Sequence, residues 1–527
     1  MVGLLDLPVE IIQAILACIL DRLPADTLLN LFPTCRSLNY LSTSALLEHH
    51  GIRDPTHCTV DLDTRRAPST ADALSALLSG LHIKRMKSLR CNLKTSWYLG
   101  QWGWPPSESL RRLHRLIRKL TSIDEVVLSF NMETEIRLDE ADLQYGIDIL
   151  QDLLNMILTK SCKTLSIINP GNFFAQSYIF NEPDSGSIIT QAFHQIFHRN
   201  DSPDWQYKRY DGKGTRLLLT CSPEALQKVA LTRMEIDAMS LFTPPCSNWT
   251  FTMLQQSRVE ALTLNLAWPN PFYTLVERSL ILSRLAVAVQ ASVTSLRVRN
   301  VTHIFEALGF IAQLPLLDKL DFNLWTWKAG FSDGIASTSF PMVLNMKIMT
   351  APAELLFFIF SRPLTVPRLR EIYLAFYISE EGMFDITTTA TSIARLRASV
   401  GPNVDLFPMI HMDSVPPSME SLCDGIRPVC PVWQQEFFKF TSVSLAGDMT
   451  LLDSPNKFRI ILGLLTLFSG IEQLHIRLAP SPKVDLTPIH LEPWMVKAIL
   501  NRSPNITSIF FNDVAQNENE VLTTSRC

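Results

Sequence analysis

The chain has 527 residues, 47% of them hydrophobic and only 19% charged, with a net charge of −4. That apolar content excludes a disordered chain, and the charge balance leaves no basic footprint for nucleic acid. Ten cysteines form no Cys-x-x-Cys pair and no signal peptide is expected, so buried, reduced thiols in the cytoplasm or nucleus are predicted.

The first element is a helix opening at Leu4-Leu5-Asp6-Leu7-Pro8-Val9-Glu10-Ile11-Ile12. Pro8 suits the first helical position, and Glu10 places a negative charge in the first turn. Ile11, Ile15 and Ile19 form one stripe; Ile12, Leu16, Leu20 and Leu23 form a second beside it. So broad an apolar face exceeds what one short neighbouring helix covers, which predicts a partner. After Pro24, Asp26 is an N-cap for Thr27–Phe32. Pro33-Thr34 breaks the chain before Cys35-Arg36-Ser37-Leu38, and Ser44 is expected to cap a last helix, Ala45–His50, closed by Gly51.

Leu7-Pro8-x-Glu10-Ile11, the spaced Ile15 and Leu16, Leu28-Leu29-x-Leu31 and Cys35-Arg36-x-Leu38 together resemble an F-box. The resemblance implies docking onto the Skp-type adaptor of a cullin–RING ubiquitin ligase. Carried onto this chain, the implied adaptor contacts are Leu7, Pro8, Ile11, Ile15, Leu28, Leu31, Cys35 and Leu38. Read from the residues alone, the same segment also suits a helical cap over the domain that follows.

Residues 52–88 are expected to be a linker and a first helix. From residue 89 to 512 a short alternating apolar pattern recurs after turns or helices. It is clear at Val259–Leu264, Leu296–Val298, Leu320–Phe322, Ile372–Leu374, Val443–Leu445, Leu474–Ile476 and Ile509–Phe511. It is weaker at Val126–Leu128, Leu165–Ile167 and Leu344–Met346, with a poor repeat near Val404–Leu406. Helices are predicted between, at Leu275–Ala291, Ile304–Leu314, Ala353–Phe360 and Phe458–Phe468. Anchors mostly about 24 to 37 residues apart lie in the range of leucine-rich repeats. The region resembles a degenerate leucine-rich-repeat array, with Asn265, Asn300, Asn323 and Asn512 echoing the asparagine that ends the repeat's strand motif. The expected fold is therefore α/β: a small N-terminal helical F-box, residues 1–51, followed by an irregular leucine-rich-repeat-like solenoid. Residues 513–527 read as a polar tail. The competing reading is a parallel α/β domain with helices on both faces.

Three aromatic insertions are candidate target contacts: Trp102 and Trp104; Trp205 and Tyr207; Trp325 and Trp327. Tryptophan and tyrosine dominate interface hot spots, though such rings also fill gaps between imperfect repeats. His194-x-x-x-His198 has a zinc-site spacing, but Gln195 stands where a metalloprotease carries glutamate, so a solvated helix face is expected. Asp211-Gly212-Lys213-Gly214-Thr215 reads as a hairpin turn, not a phosphate loop. Leu355–Phe360 is strongly apolar but far shorter than the roughly 20 residues a bilayer needs. No catalytic residue, cofactor, metal, nucleic acid or membrane contact is expected. The predicted function is that of a non-catalytic adaptor, with the F-box on the Skp-type protein and the repeats on an unidentified target.

Overall fold

The computed structural model describes residues 7–22, 30–31, 33–63, 72–95, 107–132, 140–169, 178–180, 207–209, 218–267, 274–323, 342–361, 364–377, 386–412, 436–448, 455–479, 491–512 and 514–516. These fall into two compact units, Met1–Leu316 and Leu317–Cys527, each taken by itself.

Among the described residues, the first unit opens with helices α1 (Val9–Arg22) and α2 (Arg36–His49). The Pro8 carbonyl accepts the first helical bonds of α1, from Ile11 and Ile12. Cys35 caps α2, its Sγ accepting from the Leu38 N–H at 3.4 Å. The helix runs through Ser44, whose hydroxyl donates to the Tyr40 carbonyl, so no separate helix starts there. Gly51, at φ +76°, closes α2 as expected. The Ile52 N–H reaches the Leu47 carbonyl and the Gly51 N–H the Glu48 carbonyl, a paired bonding that only a left-handed residue permits.

Strands and helices then alternate: β1 (His57–Asp63), α3 (Ala73–Ser79), β2 (Arg85–Thr95), α4 (Ser107–Lys119), β3 (Ser122–Met132), α5 (Glu140–Thr159) and β4 (Thr164–Ile168). A two-stranded antiparallel insertion follows, β5 (Tyr178–Phe180) with β6 (Tyr207–Arg209). Then come α6 (Pro223–Lys228), β7 (Arg233–Ile236), a 3₁₀ turn at Met239–Phe242, α7 (Ser247–Gln256), β8 (Ala261–Asn265), α8 (Leu275–Val289), β9 (Ser295–Arg299) and α9 (Ile304–Ile311). The sheet therefore begins inside the stretch expected to be linker, because Cys58, Val60 and Leu62 alternate inward and pair in parallel with β2.

Within this unit the main-sheet strands pair in parallel in the order β1-β2-β3-β4-β7-β8-β9. Register aligns one apolar residue per strand, Val60, Cys91, Leu128, Ile167, Ile236, Leu264 and Val298, and all are buried. Each such side chain contributes about 1.5–3 kcal/mol by leaving water. The order never reverses, so the unit lacks the switch point of a doubly wound sheet, and same-handed crossovers put the helices on one face.

The second unit repeats the scheme. It comprises β10 (Lys319–Asn323), β11 (Met342–Val343), β12 (Ile348–Pro352), α10 (Ala353–Phe360), β13 (Leu364–Thr365), β14 (Glu371–Tyr377), α11 (Ile386–Val400) and β15 (Asp405–Met412). These are followed by β16 (Ser442–Asp448), α12 (Pro455–Leu465), β17 (Gln473–Ala479), α13 (Pro493–Arg502), β18 (Ser508–Phe511) and β19 (Val514–Gln516). Strands β10, β12, β14, β15, β16, β17 and β18 pair in parallel in that order, and β19 folds back antiparallel on β18. Phe376, Ile410, Leu445, Ile476 and Phe511 form one buried rung.

The anchor expected at Leu344–Met346 is displaced. Leu344 and Met346 are buried in the approach to β12, where the Leu344 N–H bonds to the Thr365 carbonyl, while Met349 and Ala351 turn inward from the strand itself. Helix α12 likewise starts three residues earlier than expected, with proline at its first position.

Strand ends explain the asparagines. Asn300 and Asn512 take φ of +50° and +46°, a left-handed turn that asparagine tolerates, and Asn169 does the same after β4. Asn512 Oδ1 also accepts from the Leu478 N–H at 2.9 Å, tying β18 to β17. Asn265 instead ends β8, its Nδ2 donating to Asp237 Oδ1 at 2.9 Å.

Candidate functional site

Helix α1 is split lengthwise. Ile12 and Leu16 are only 4% and 2% exposed, whereas Ile11 and Ile15, one residue before each, are 49% and 37% exposed. Pro8 and Val9 are exposed beside them and Leu7 is half-buried. Residues at i, i+3 and i+4 share a helix face, so Pro8, Ile11 and Ile15 make one apolar line. Of the remaining implied adaptor contacts, Leu31 and Cys35 are half-buried, and Leu28 lies outside the described residues. Leu38 is buried, so it belongs to the packed side of α2 rather than to an open surface.

That packed side rests on α3. Asn39, only 3% exposed, donates through Nδ2 to the Ser79 carbonyl and accepts at Oδ1 from the Leu81 N–H, both at 2.9 Å. The end of α3 is held from the other side by Lys119 of α4, whose Nζ donates to the carbonyls of Leu77 and Leu78 at 2.7 and 2.9 Å and to that of Gly80. Burial, with Lys84 nearby, pushes Lys119 down to about 8. At the start of α3, Asp72 caps the helix through the Ser75 N–H and takes both terminal nitrogens of Arg112. Burial alone would raise the Asp72 carboxyl; the Arg112 and Ser75 bonds bring it below its usual range.

Of the aromatic candidates, Trp102, Trp104, Trp205, Trp325 and Trp327 lie outside the described residues, as do His194, His198 and the turn at 211–215. Tyr207, a candidate target contact or gap-filling ring, is buried: 3% exposed, with its ring 5.3 Å from that of Phe180. The short β5–β6 pair buries it against α8, where its hydroxyl faces Glu277. Glu277 belongs to a reciprocal cap in which Thr274 Oγ1 accepts from the Glu277 N–H at 3.2 Å. Burial pushes the Glu277 carboxyl up to about 7.

The sheet faces opposite the helices differ between the units. In the first, register aligns Thr59, Arg90, Val127, Ser166, Glu235, Thr263 and Arg297, a row of mixed charge interrupted at β3 by the buried Val127. Neighbouring positions are cross-linked by Asn92–Asp61 at 2.7 Å and by the Arg299–Glu235 ion pair. In the second, the corresponding positions carry rings. Tyr373 of β14 stacks on Phe407 of β15 at 5.2 Å and 27°, and His475 of β17 stacks on Phe510 of β18 at 4.6 Å and 9°. The two pairs lie on one face but on different rungs: Met409 and Ser444 share the rung of His475 and Phe510, two residues along β15 from Phe407. The four rings and Met409 are all half-buried. This row is absent from the expected site residues. Its signal was an aromatic or histidine one place after a buried strand anchor, as at Ile372-Tyr373 and Leu474-His475.

Burial raises the thiols of Cys58, Cys162 and Cys221 to about 12, and those of Cys91 and Cys246 further still, so these cysteines stay protonated. Among the described residues no group of histidine, cysteine or carboxylate side chains could hold a metal ion. No helix among them is long and apolar enough to cross a membrane. Comparison with known proteins finds no matching family model and no matching curated relative.

Proposed function

We propose that this chain is a non-catalytic substrate adaptor of a cullin–RING ubiquitin ligase: residues 1–51 act as an F-box on a Skp-type protein, and leucine-rich-repeat-like units hold a target. The observation that carries the reading is the exposed line of Pro8, Ile11 and Ile15 on α1, whose neighbouring stripe, Ile12 and Leu16, is already buried. An apolar stripe left in water at helical spacing is what a helix docking into a partner's groove presents. The non-reversing strand order and the asparagines at strand ends support the repeat reading. The mechanism is proximity: the conjugating enzyme on the RING arm transfers ubiquitin, and the adaptor raises the effective concentration of target lysines beside it.

The test is co-purification with a Skp-type adaptor. Wild-type chain should elute as a stoichiometric complex. Ile11→Asp and Ile15→Asp each place a charge in a desolvated contact and should weaken binding at least about 100-fold. Both sites are exposed, so the variants should stay folded. Wild-type chain that ignores the adaptor, or variants that still bind at full strength, would refute the docking role.

One observation favours a second reading, in which α2 caps the repeats with no ligase connection: Asn39 bonds directly to the end of α3. On that reading Ile11 and Ile15 have no partner to lose.

A further inference from the structure

We propose that the ring-bearing face of the second unit's sheet, at β14 and β15, receives an arginine or lysine side chain from the target protein. The inference rests on the reading of the sheet as the target-holding element, and names what it selects.

Tyr373 and Phe407 form a stacked pair on adjacent strands. The rung beside them on the same face is Glu371 opposite Asp405. Glu371 Oε2 accepts from the Tyr373 hydroxyl at 3.1 Å, which fixes the carboxylate next to the ring. Asp321 lies in line with Thr350 and Tyr373 across β10, β12 and β14. Two carboxylates therefore adjoin one ring pair, and a third, Asp321, stands two strands away on the same rung as Tyr373. Lys319 is the one lysine or arginine among the described positions on this face of β10, β12, β14 and β15, and Arg477 of β17 acts on Tyr373 from further along the same face.

Carboxylates beside aromatic faces repel anions and attract cations twice over, by ion pairing and through the ring quadrupole. A guanidinium does both at once, lying flat on a ring while its edge meets a carboxylate. Two residues along β15 from Phe407, Met409 opens a second rung with Ser444, His475 and Phe510, a strip suited to apolar residues flanking the basic one. The occupant so defined is an extended segment of protein with a basic side chain among apolar neighbours. An anionic membrane or a nucleic acid would meet repulsion here.

The experiment uses the full chain and an array of short peptides with a central arginine or lysine flanked by leucines, each matched by its glutamine counterpart. Basic peptides should bind at least about tenfold tighter than their glutamine matches, with affinity falling as salt rises. Glu371→Gln combined with Asp405→Asn removes two charges and little volume, and should erase that preference. Tyr373→Leu, with the carboxylates kept, should weaken basic peptides selectively. The inference is overturned if no peptide binds, if glutamine peptides bind equally, or if the doubly substituted chain keeps its preference with an unchanged melting point. Adaptor co-purification is read separately. Loss of adaptor binding by wild-type chain sinks the ligase reading and leaves the peptide preference to be judged on its own.

Discussion

Replacing Asn39 with alanine gives the most direct measure of how the N-terminal helices are joined to the first sheet. The side chain is 3% exposed and satisfies two backbone groups, the Ser79 carbonyl and the Leu81 N–H. Alanine leaves both without that partner, at about 1–3 kcal/mol each. A total near 4 kcal/mol is the central expectation. With an unfolding entropy of about 2.1 cal/mol/K per residue, a unit of this length loses roughly 0.7 kcal/mol of stability per degree near its midpoint. The variant's first transition should therefore fall by roughly 6 °C. Scanning calorimetry of the full chain would read this, with Ser37→Ala, an exposed neighbour on α2, as a control expected to change stability by less than about 0.5 kcal/mol. An Asn39→Ala transition within about a degree of wild type would refute the reasoning. It would mean that α2 does not hold α3.

Lys119→Met removes the ammonium from the carbonyls of Leu77, Leu78 and Gly80 and should cost about 1–3 kcal/mol at pH 7, measured by denaturant unfolding. Because Asn39 and Lys119 hold the same helix end, their combined loss should depart from additivity by about 0.5 kcal/mol or more. For Glu277 the folded carboxyl titrates near 7 and the unfolded one near 4.5, so the folded state binds more protons between these values. Its contribution is fully present below pH 4.5 and is lost as pH rises through 7; Glu277→Gln should flatten that part of the stability profile relative to wild type. Gly470→Ala would set a Cβ 2.1 Å from the Phe438 carbonyl oxygen, a backbone atom, and should destabilise the second unit by about 1–3 kcal/mol or more. Leu16→Ala should cost about 2–5 kcal/mol as a buried deletion, whereas Ile15→Ala should be nearly silent in stability.

What could be read from the chain was whatever a single segment decides. The two stripes of α1 and most strand anchors follow from spacing alone, and so does Ala353–Phe360, which is helical from end to end. Ser44 misled because a hydroxyl that caps a helix can also bond back within one, as it does here to Tyr40. β1 was hidden in apparent linker because Thr59 and Asp61 interrupt its apolar residues, and only pairing with β2 stabilises it. The ring row was illegible for a stronger reason. Tyr373 and Phe407 are neighbours through strand register, and register between strands separated by a helix and a long connection is set by packing, not by local pattern.

Capping and docking need not compete for the N-terminal segment, because they use different surfaces. Capping draws on the buried face of α2, through Asn39; docking would draw on the exposed line of α1, through Pro8, Ile11 and Ile15. Deleting residues 1–51 removes both at once: it uncovers α3, and any loss of partner binding could follow from unfolding. Point changes separate them. If both roles operate, Ile11→Asp abolishes adaptor binding at an unchanged melting point, and Asn39→Ala lowers the melting point while the adaptor still binds at temperatures where the chain is folded. A helical segment that only caps gives the second result without the first. An F-box tethered loosely to its repeats gives the first without the second.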